Sequence, residues 1–369
     1  MPARGRIRAA VMRIPVTILT GFLGAGKTTL LNRLLRAPGF GDTAVIVNEF
    51  GQADIDGALV TPVADRAFAA TSGCLCCTVS GDVRFTLLRL LDEANRGVGP
   101  MFSRVVIETT GLADPGPVLR SFMATASMVD RFVVNGVVTL VDALNGADQM
   151  ARFEEARRQV AVADLLLLTK ADLVGAAGAK RDLAALRQTL AHRTPTARVA
   201  LAGEVTSADV FALTAFDPAA RAPDVQSWLR FEAPPGDDHD HDHGHGHHHH
   251  HDVNRHGDTA TAFCFTADGP LDPWALEQAI AALQNAFGAD LLRLKGLVGI
   301  TGQPDRPRVV HAVGHVTHPP ELLPAWPTGL SQTRLVLIVA GPERQRAPDL
   351  LRQKLPQLSV LAPGVTATE

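Results

Sequence analysis

No run of apolar residues in this 369-residue chain reaches the roughly 20 positions that a membrane-crossing helix needs. No basic excess is present either. Lys and Arg number 35 against 38 Asp and Glu, leaving a formal charge of −3, which speaks against generic binding of nucleic acid. Cysteine is scarce: of four residues, three fall between positions 74 and 77, too few and too bunched for a disulfide framework. In an intracellular chain such bunching points to metal or redox chemistry. Internal repeats are absent. Apolar residues make up 46% of the chain, ample for a sizeable core, and the length suggests two or three domains.

The N-terminal Met1-Pro-Ala-Arg-Gly-Arg-Ile-Arg has the charge of a signal-peptide start. The apolar stretch from Ile14 runs directly into a glycine-rich loop, however, so a core strand is expected there rather than a cleaved leader, and the expected location is the cytoplasm. Residues 1–12 read as a disordered tail. Short apolar runs at Val16–Leu19, Ala44–Asn48, Val105–Glu108, Val137–Val141 and Leu165–Thr169 read as buried strands. Helical spacing falls between several of them, at Thr28–Arg36, Met150–Val160 and Ala179–Ala191. That alternation predicts an α/β fold with a mainly parallel, doubly wound sheet over residues 13–230, ligands gathering at the carboxyl ends of its strands.

Composition changes at Pro234-Pro235-Gly236, where a tract rich in His, Asp and Gly begins. It has nothing to bury, so 231–258 is expected to be a disordered linker. A small α+β domain with an antiparallel sheet is expected over 259–361, followed by a tail at 362–369. Its strands read as Thr261–Thr266, Leu291–Ile300, Arg308–Val316 and Arg334–Ala340, and its helices as Pro273–Phe287 and Pro348–Leu355.

Residues Gly21, Gly24, Ala25, Gly26, Lys27, Thr28 and Thr29 complete a phosphate-binding loop between a strand and an amphipathic helix. Glycines let backbone N–H groups turn toward phosphates, Lys27 would neutralise β/γ charge, and the Thr28 hydroxyl can ligate Mg²⁺. Val105–Gly111 has the shape of a Walker B strand. Glu108 would hold Mg²⁺ or its water, and Gly111 would let a backbone N–H approach the γ-phosphate; a core strand with a capping carboxylate is the alternative. Thr169-Lys170-Ala171-Asp172 fits a guanine-recognition element. The Asp172 carboxylate would accept from guanine N1–H and the 2-amino group, which adenine lacks, and the Lys170 stem would cover the base. Glu49, Asp54 and Asp56 follow the second strand where a γ-phosphate sensor would sit, the alternative being a solvated acidic loop. Lys27, Thr28, Glu49 and Glu108 form the expected catalytic set for GTP hydrolysis.

Cys74, Cys76 and Cys77 offer three thiolates to a transition metal, with a fourth position left for a carboxylate, His, water or client ligand. A structural zinc site usually has four protein ligands, so an exchangeable site fits better; a redox couple and inert buried thiols are the alternatives. His239, His241, His243, His245 and His247 belong to a run of nine histidines ending at His251, which suits loose, degenerate metal binding lost on acidification. A plain solvated linker is the alternative. His311, His315 and His318 are weaker candidates; His311 and His315 would share a face of one strand.

In order along the chain, Gly-Phe-Leu-Gly-Ala-Gly-Lys-Thr-Thr, Asn-Glu-Phe-Gly, Gly-Cys-Leu-Cys-Cys-Thr, Ile-Glu-Thr-Thr-Gly-Leu-Ala-Asp-Pro and Thr-Lys-Ala-Asp precede the His-rich tract and Leu292-Arg-Leu-Lys-Gly-Leu297. This set resembles the CobW family of metal-handling GTPases, in the same broad class as the hydrogenase and urease nickel-insertion GTPases. The resemblance implies a P-loop GTPase domain with a CobW-type C-terminal domain. It also implies GTP and Mg²⁺, and a transition metal (Zn²⁺ or Co²⁺) held next to the GTP site on Cys74, Cys76 and Cys77. Thr169 stands where Asn is more usual. The implied function is GTP-dependent delivery of metal to a client metalloprotein or metal-inserting enzyme, with slow hydrolysis in isolation. A passive metal buffer using the His tract is the alternative. Neither a nucleic acid nor a membrane is an expected partner, and a homodimer is left open.

Overall fold

The computed structural model describes residues 13–37, 40–48, 68–69, 75–79, 82–174, 177–211, 213, 260–267, 269–327 and 330–361. Short runs rich in Val, Ile and Leu form the first sheet, and its central strands are buried on both faces. Its strands are β1 Ile14–Gly21, β2 Thr43–Asn48, β3 Phe68–Ala69, β4 Leu75–Val79, β5 Arg104–Thr109, β6 Phe132–Asp142, β7 Leu165–Thr169 and β8 Arg198–Leu201. They lie in the order β3-β4-β2-β5-β1-β6-β7-β8. All neighbours pair in parallel except β3, which runs antiparallel to β4. Strand β1 is central, between β5 and β6, so the glycine-rich loop at its carboxyl end opens in the middle of the sheet, where such folds gather ligands.

Helices cover both faces: α1 Lys27–Leu35, α2 Val83–Asn95, α3 Gly116–Ala124, α4 Ala126–Val129, α5 Gly146–Arg152, α6 Glu154–Ala161, α7 Ala177–Arg193 and α8 Ser207–Phe211. On one face, Leu19, Val45, Val106, Val138 and Leu165 pack with Leu30, Leu31 and Leu34 of α1. On the other, Val16, Ile18, Ile46, Ile107 and Val137 pack with Leu87 and Leu90 of α2 and Leu119 and Phe122 of α3. The helix expected over Met150–Val160 is two helices. Phe153 takes an extended conformation (φ −120°, ψ 126°) and breaks it into α5 and α6, and its ring stacks on Phe22 at 4.8 Å between centroids.

The second sheet holds β9 Ala260–Ala267, β10 Leu291–Ile300, β11 Gln303–Val313, β12 Val316–Thr317, β13 Glu321–Leu322, β14 Thr333–Ala340 and β15 Ser359–Val360. Every pairing among them is antiparallel, in the order β12-β11-β10-β14-β9-β15, with β13 against β11. Helices α9 Pro273–Phe287 and α10 Ala347–Lys354 cover one face through Leu276, Ile280, Leu283 and Leu351. Asp272 caps α9 by accepting from Ala275 N at 2.8 Å, and Pro273 fills its first turn.

The opposite face of this sheet joins the core of the first domain: Cys264, Leu292, Val313, Val336 and Ile338 pack in one cluster with Val118, Leu119 and Phe122. Charge is buried at the same junction. Asp164, just before β7, accepts Arg293 Nη1 at 2.8 Å and Lys295 Nζ at 2.6 Å, both from β10. Arg293 also donates to the Val162 carbonyl at 2.9 Å, and Asp164 accepts the Val137 N–H at 2.9 Å. The Arg293 and Lys295 side chains are 2% and 1% exposed, so the motif residues of β10 serve the contact between domains. Burial alone would raise the Asp164 pKa, but the two cations outweigh it and hold the carboxyl well below its usual range.

Candidate functional site

The loop after β1 owes its shape to glycine. Gly21, Gly24 and Gly26 have φ of 144°, 71° and 88°, a region that side-chain-bearing residues avoid. At Gly21 there is also no room: a Cβ would lie 2.5 Å from the Leu140 carbonyl oxygen. Ala25 N donates to the Phe22 carbonyl at 3.1 Å and tightens the turn into α1. Lys27 is buried, its Nζ donating to the carbonyls of Gly21 at 2.8 Å and Phe22 at 3.2 Å. The ammonium is thus folded over the loop. Thr29 is exposed at the start of α1.

Thr28 Oγ1 donates to Glu108 Oε1 at 3.0 Å, which brings the loop together with the carboxyl end of β5. Glu108 is 5% exposed. Next to it, Thr109 Oγ1 donates to Thr20 Oγ1 at 2.8 Å and links β5 to β1. Gly111 then packs against the glycine-rich loop, where a Cβ would fall 2.6 Å from Leu23 Cδ2 and 2.8 Å from Leu23 Cα. Leu23 and Leu112 are exposed on this rim.

Thr169, Lys170 and Asp172 reach the same rim from β7. Thr169 Oγ1 donates to the Ala25 carbonyl at 2.9 Å, so the hydroxyl fastens this loop to the glycine-rich loop. Lys170 is the one non-glycine residue with positive φ (57°) among those described. Its Nζ lies 2.6 Å from Asp142 Oδ2, and the Asp142 side chain is 2% exposed. Asp142 also accepts Leu144 N at 2.8 Å and Asn145 Nδ2 at 3.0 Å. Burial works to raise its pKa, but the hydrogen bonds from Lys170 and Asn145 prevail and lower it. Asp172 is exposed in a short 3₁₀ turn, Ala171–Leu173, its carboxylate available to a ligand.

Two family models account for most of the chain. "CobW/HypB/UreG, nucleotide-binding domain" matches residues 15–199, and "Cobalamin synthesis protein cobW C-terminal domain" matches residues 260–355. The zinc chaperone CobW of Sinorhizobium sp is 32% identical over 342 residues, covering 83% of this chain and 87% of that protein. The chain belongs to the CobW family of P-loop GTPases.

Among other family members, the zinc chaperone YjiA of Escherichia coli is 45% identical over 164 residues, 44% of this chain. The match spans 51% of that relative, about half of its length. The crystal structure of the Zn(II)-bound YjiA GTPase from E. coli superposes with a TM-score of 0.67 at 28% identity, covering 93% of this chain and 99% of that one.

The fold fulfils the expectation of a mainly parallel P-loop sheet with a separate antiparallel C-terminal domain of CobW type. Cys76 and Cys77, for which no strand was expected, lie in β4, paired in parallel with β2, Cys76 beside Val45 and Cys77 beside Ile46. Cys76 also faces Phe68 of β3 in register. The stretch Leu-Cys-Cys-Thr-Val joins the sheet because backbone pairing is available on both sides of it. Cys74, Glu49, Asp54, Asp56 and the tract carrying His239, His241, His243, His245 and His247 lie outside the described residues.

His311 and His315 do not share a strand face. β11 ends at Val313, and Gly314 (φ 55°) turns the chain, leaving His315 exposed. The strand also starts earlier than expected, at Gln303. His311 and His318 instead line a small cavity between the domains, together with Arg13, Arg293 and Glu321. No group of three or more His, Cys, Asp or Glu suited to a metal occurs among the described residues.

Sequence reasoning missed Asp142, Gln159 and the partners of Asp164. Asp142 ends β6 one strand away from the Thr169 turn, and nothing local marks it. Gln159 is 1% exposed within a charged helix, and only the burial of its face could have singled it out. The fourth cysteine, Cys264, is buried in β9.

Proposed function

We propose that this chain is a GTP-dependent metallochaperone that carries zinc on Cys74, Cys76 and Cys77 and hands it to a client metalloprotein in the cytoplasm. The observation that carries the proposal is the place of β2. That strand lies between β4, which holds Cys76 and Cys77, and β5, which holds Glu108. Cys77 registers with Ile46, and Ile46 with Ile107, the residue before Glu108. Two strand spacings, about 10 Å, therefore separate the backbone of β4 at Cys77 from that of β5 beside Glu108. The relatives named zinc chaperones and the Zn(II)-bound neighbour support zinc as the cargo. Three thiolates suit that borderline-soft ion.

In this reading Asp172 selects guanine and the Lys170 stem lies along the base. Lys27 exchanges the Gly21 and Phe22 carbonyls for β/γ-phosphate oxygens, and the Gly111 N–H faces the γ-phosphate. Thr28 and Glu108 offer hard oxygen donors of the kind Mg²⁺ takes, 3.0 Å apart. When bound, that ion would neutralise charge on the β- and γ-phosphates. The segment beginning at Asn48 leaves β2 between the two sites, and Glu49 within it would orient the attacking water. Order imposed there by the γ-phosphate would tighten the thiolate site, and hydrolysis to GDP would loosen it and release zinc. Coupling of this kind is reciprocal, so zinc must tighten GTP as much as GTP tightens zinc. A tenfold effect corresponds to about 1.4 kcal/mol.

Competition with a chromophoric chelator tests this, giving the zinc Kd with a non-hydrolysable GTP analogue, with GDP and without nucleotide. Tightest binding with the GTP analogue is expected, and one Kd across all three conditions would overturn the switch. Deleting Asp237–Asp252 should leave one tight stoichiometric zinc; loss of most capacity would instead support the buffer.

A further inference from the structure

Helix α6 carries two adjacent side chains that hold the Gly111 loop. Gln159 Nε2 donates to the Gly111 carbonyl at 3.1 Å and to the Ala113 carbonyl at 3.0 Å. The Gln159 backbone is fixed in turn, its carbonyl accepting Thr139 Oγ1 from β6 at 2.8 Å. Gly111 is also hemmed in by the glycine-rich loop, since a Cβ built on it would lie 2.8 Å from Leu23 Cα. One buried amide therefore sets the height of Gly111 over the phosphate loop.

Arg158, the next residue, gathers three carboxylates. Its Nη1 is 3.7 Å from Asp114 Oδ2, its Nε 2.8 Å from Glu154 Oε1, and its Nη2 2.6 Å from Asp290 Oδ1. These partners differ in kind. Glu154 is on the same helix. Asp114 ends the Gly111 loop, where its Oδ1 accepts Gly116 N at 2.8 Å and starts α3. Asp290 belongs to the C-terminal domain, in the 3₁₀ turn immediately before β10. Asp290 is itself boxed in: its Oδ2 lies 2.8 Å from where a Cβ on Gly341 would be. The Arg158 side chain is 17% exposed, which screens these pairs less than an open surface would. Arg158 is shifted upward in pKa: burial opposes the shift, but the bonds to Glu154 and Asp290 prevail, so the charge is permanent.

We infer that Arg158 and Gln159 are positioning residues for GTP hydrolysis and that the C-terminal domain, through Asp290, sets how firmly they hold the Gly111 loop. The inference rests on the proposed binding of GTP at this loop. Catalysis by P-loop enzymes depends on placement, and a donor misplaced by a fraction of an ångström loses rate. With Asp290 in place, Arg158 is fixed at both ends and α6 presents Gln159 at one height. Without it, Arg158 keeps only its contacts within the first domain, and the Asp114 end of the loop gains freedom. The γ-phosphate contact at Gly111 suffers, while the contacts of Gly21–Thr29 and Asp172 with the rest of the nucleotide do not.

The test uses the full-length, zinc-free chain with Mg²⁺ present, so that it does not depend on the zinc reading. Steady-state GTP hydrolysis and binding of a fluorescent GTP analogue are measured for Asp290→Asn, Arg158→Met, Arg158→Lys, the double variant Asp290→Asn/Arg158→Met, and Glu154→Gln. Asp290→Asn is isosteric, and Arg158→Met keeps the buried stem. A kcat about fivefold lower with KM within twofold is expected for Asp290→Asn and Arg158→Met. The double variant should be no slower than Arg158→Met alone, Arg158→Lys should recover part of the rate, and Glu154→Gln, which leaves the Asp290 contact in place, should lose less than Asp290→Asn. Amide exchange at Gly111–Asp114 should quicken in Asp290→Asn. Unchanged kcat and unchanged exchange in a variant that still binds nucleotide would overturn the inference. So would a rate that falls only in step with thermal stability. Absence of GTP binding in the parent would instead overturn the nucleotide reading itself.

Discussion

Thr169 Oγ1 lies 2.9 Å from the carbonyl oxygen of Ala25, so the turn that reaches for the base is tied directly to the loop that wraps the phosphates. The hydroxyl also comes within 3.3 Å of the Val141 carbonyl, on the strand next to β7. Thr replaces the more usual Asn here at no evident cost, because a single donor on a short side chain reaches the Ala25 carbonyl. Thr169→Val keeps shape and volume and removes the donor, leaving the buried Ala25 carbonyl short of a partner. A loss of about 1–3 kcal/mol is expected, shared between chain stability and GTP affinity. Denaturant titration together with calorimetry for GTP and GDP checks it; unchanged values in both would show that the contact is idle.

The buried group at the domain junction gives a second expectation. Asp164 faces both Arg293 and Lys295, so removing the single anion leaves two buried cations facing each other. Removing Lys295 leaves a balanced pair. Asp164→Asn should therefore destabilise the chain by about 3–5 kcal/mol, and Lys295→Met by clearly less. Chemical denaturation of the two variants decides the order, and a costlier Lys295→Met would refute the charge argument.

Much of this organisation is legible in the sequence, and the reason differs from element to element. Leu165–Thr169, Pro273–Phe287 and Leu291–Ile300 have the bounds expected of them because apolar runs and an Asp-Pro start leave few alternatives. The break at Phe153 was invisible because Met150–Val160 keeps helical spacing across it, and ring stacking on Phe22 decides the conformation. Cys76 and Cys77 do not read as a strand because the ligand pattern dominates the segment, whereas pairing with β2 is a long-range fact. The same holds for Gln159 and Asp142, whose partners are 46 and 28 residues away. The glycine-rich loop, Glu108 and Thr169 were accessible because each is announced by a local motif, and the sheet topology then brings the motifs to one rim.

Cys264 should behave unlike a metal-binding or redox thiol. It is 8% exposed in β9, and burial pushes its pKa up to about 12, with Lys295 opposing only in part. The thiolate is the reactive form, so almost none is present at neutral pH. Iodoacetamide at pH 8 is expected to leave Cys264 unlabelled in the folded chain and to label it once urea unfolds the protein. Peptide mass mapping reads the outcome, and rapid labelling of the native chain would contradict the burial.

His311 makes the junction between the domains sensitive to acid. Its Nε2 is buried without a hydrogen-bond partner, and burial first, then Arg293 and His318, hold its pKa well below the usual value. Lys295 adds to that effect, and Asp164 opposes it. His318 is lowered as well, chiefly by burial. Both imidazoles are therefore neutral in the folded chain at a pH where the unfolded chain already binds protons. Stability is thus full above the unfolded pKa near 6.5 and falls as pH drops below it, with an upper slope of about 1.4 kcal/mol per pH unit for each histidine held neutral. Asp164, whose pKa is lowered, adds a further loss only at much lower pH, once carboxylates of the unfolded chain begin to protonate. Unfolding free energies at pH 7.5 and 5.5 should differ more for the parent than for His311→Gln, which cannot be protonated. Equal differences would mean that His311 is not the group that senses the acid.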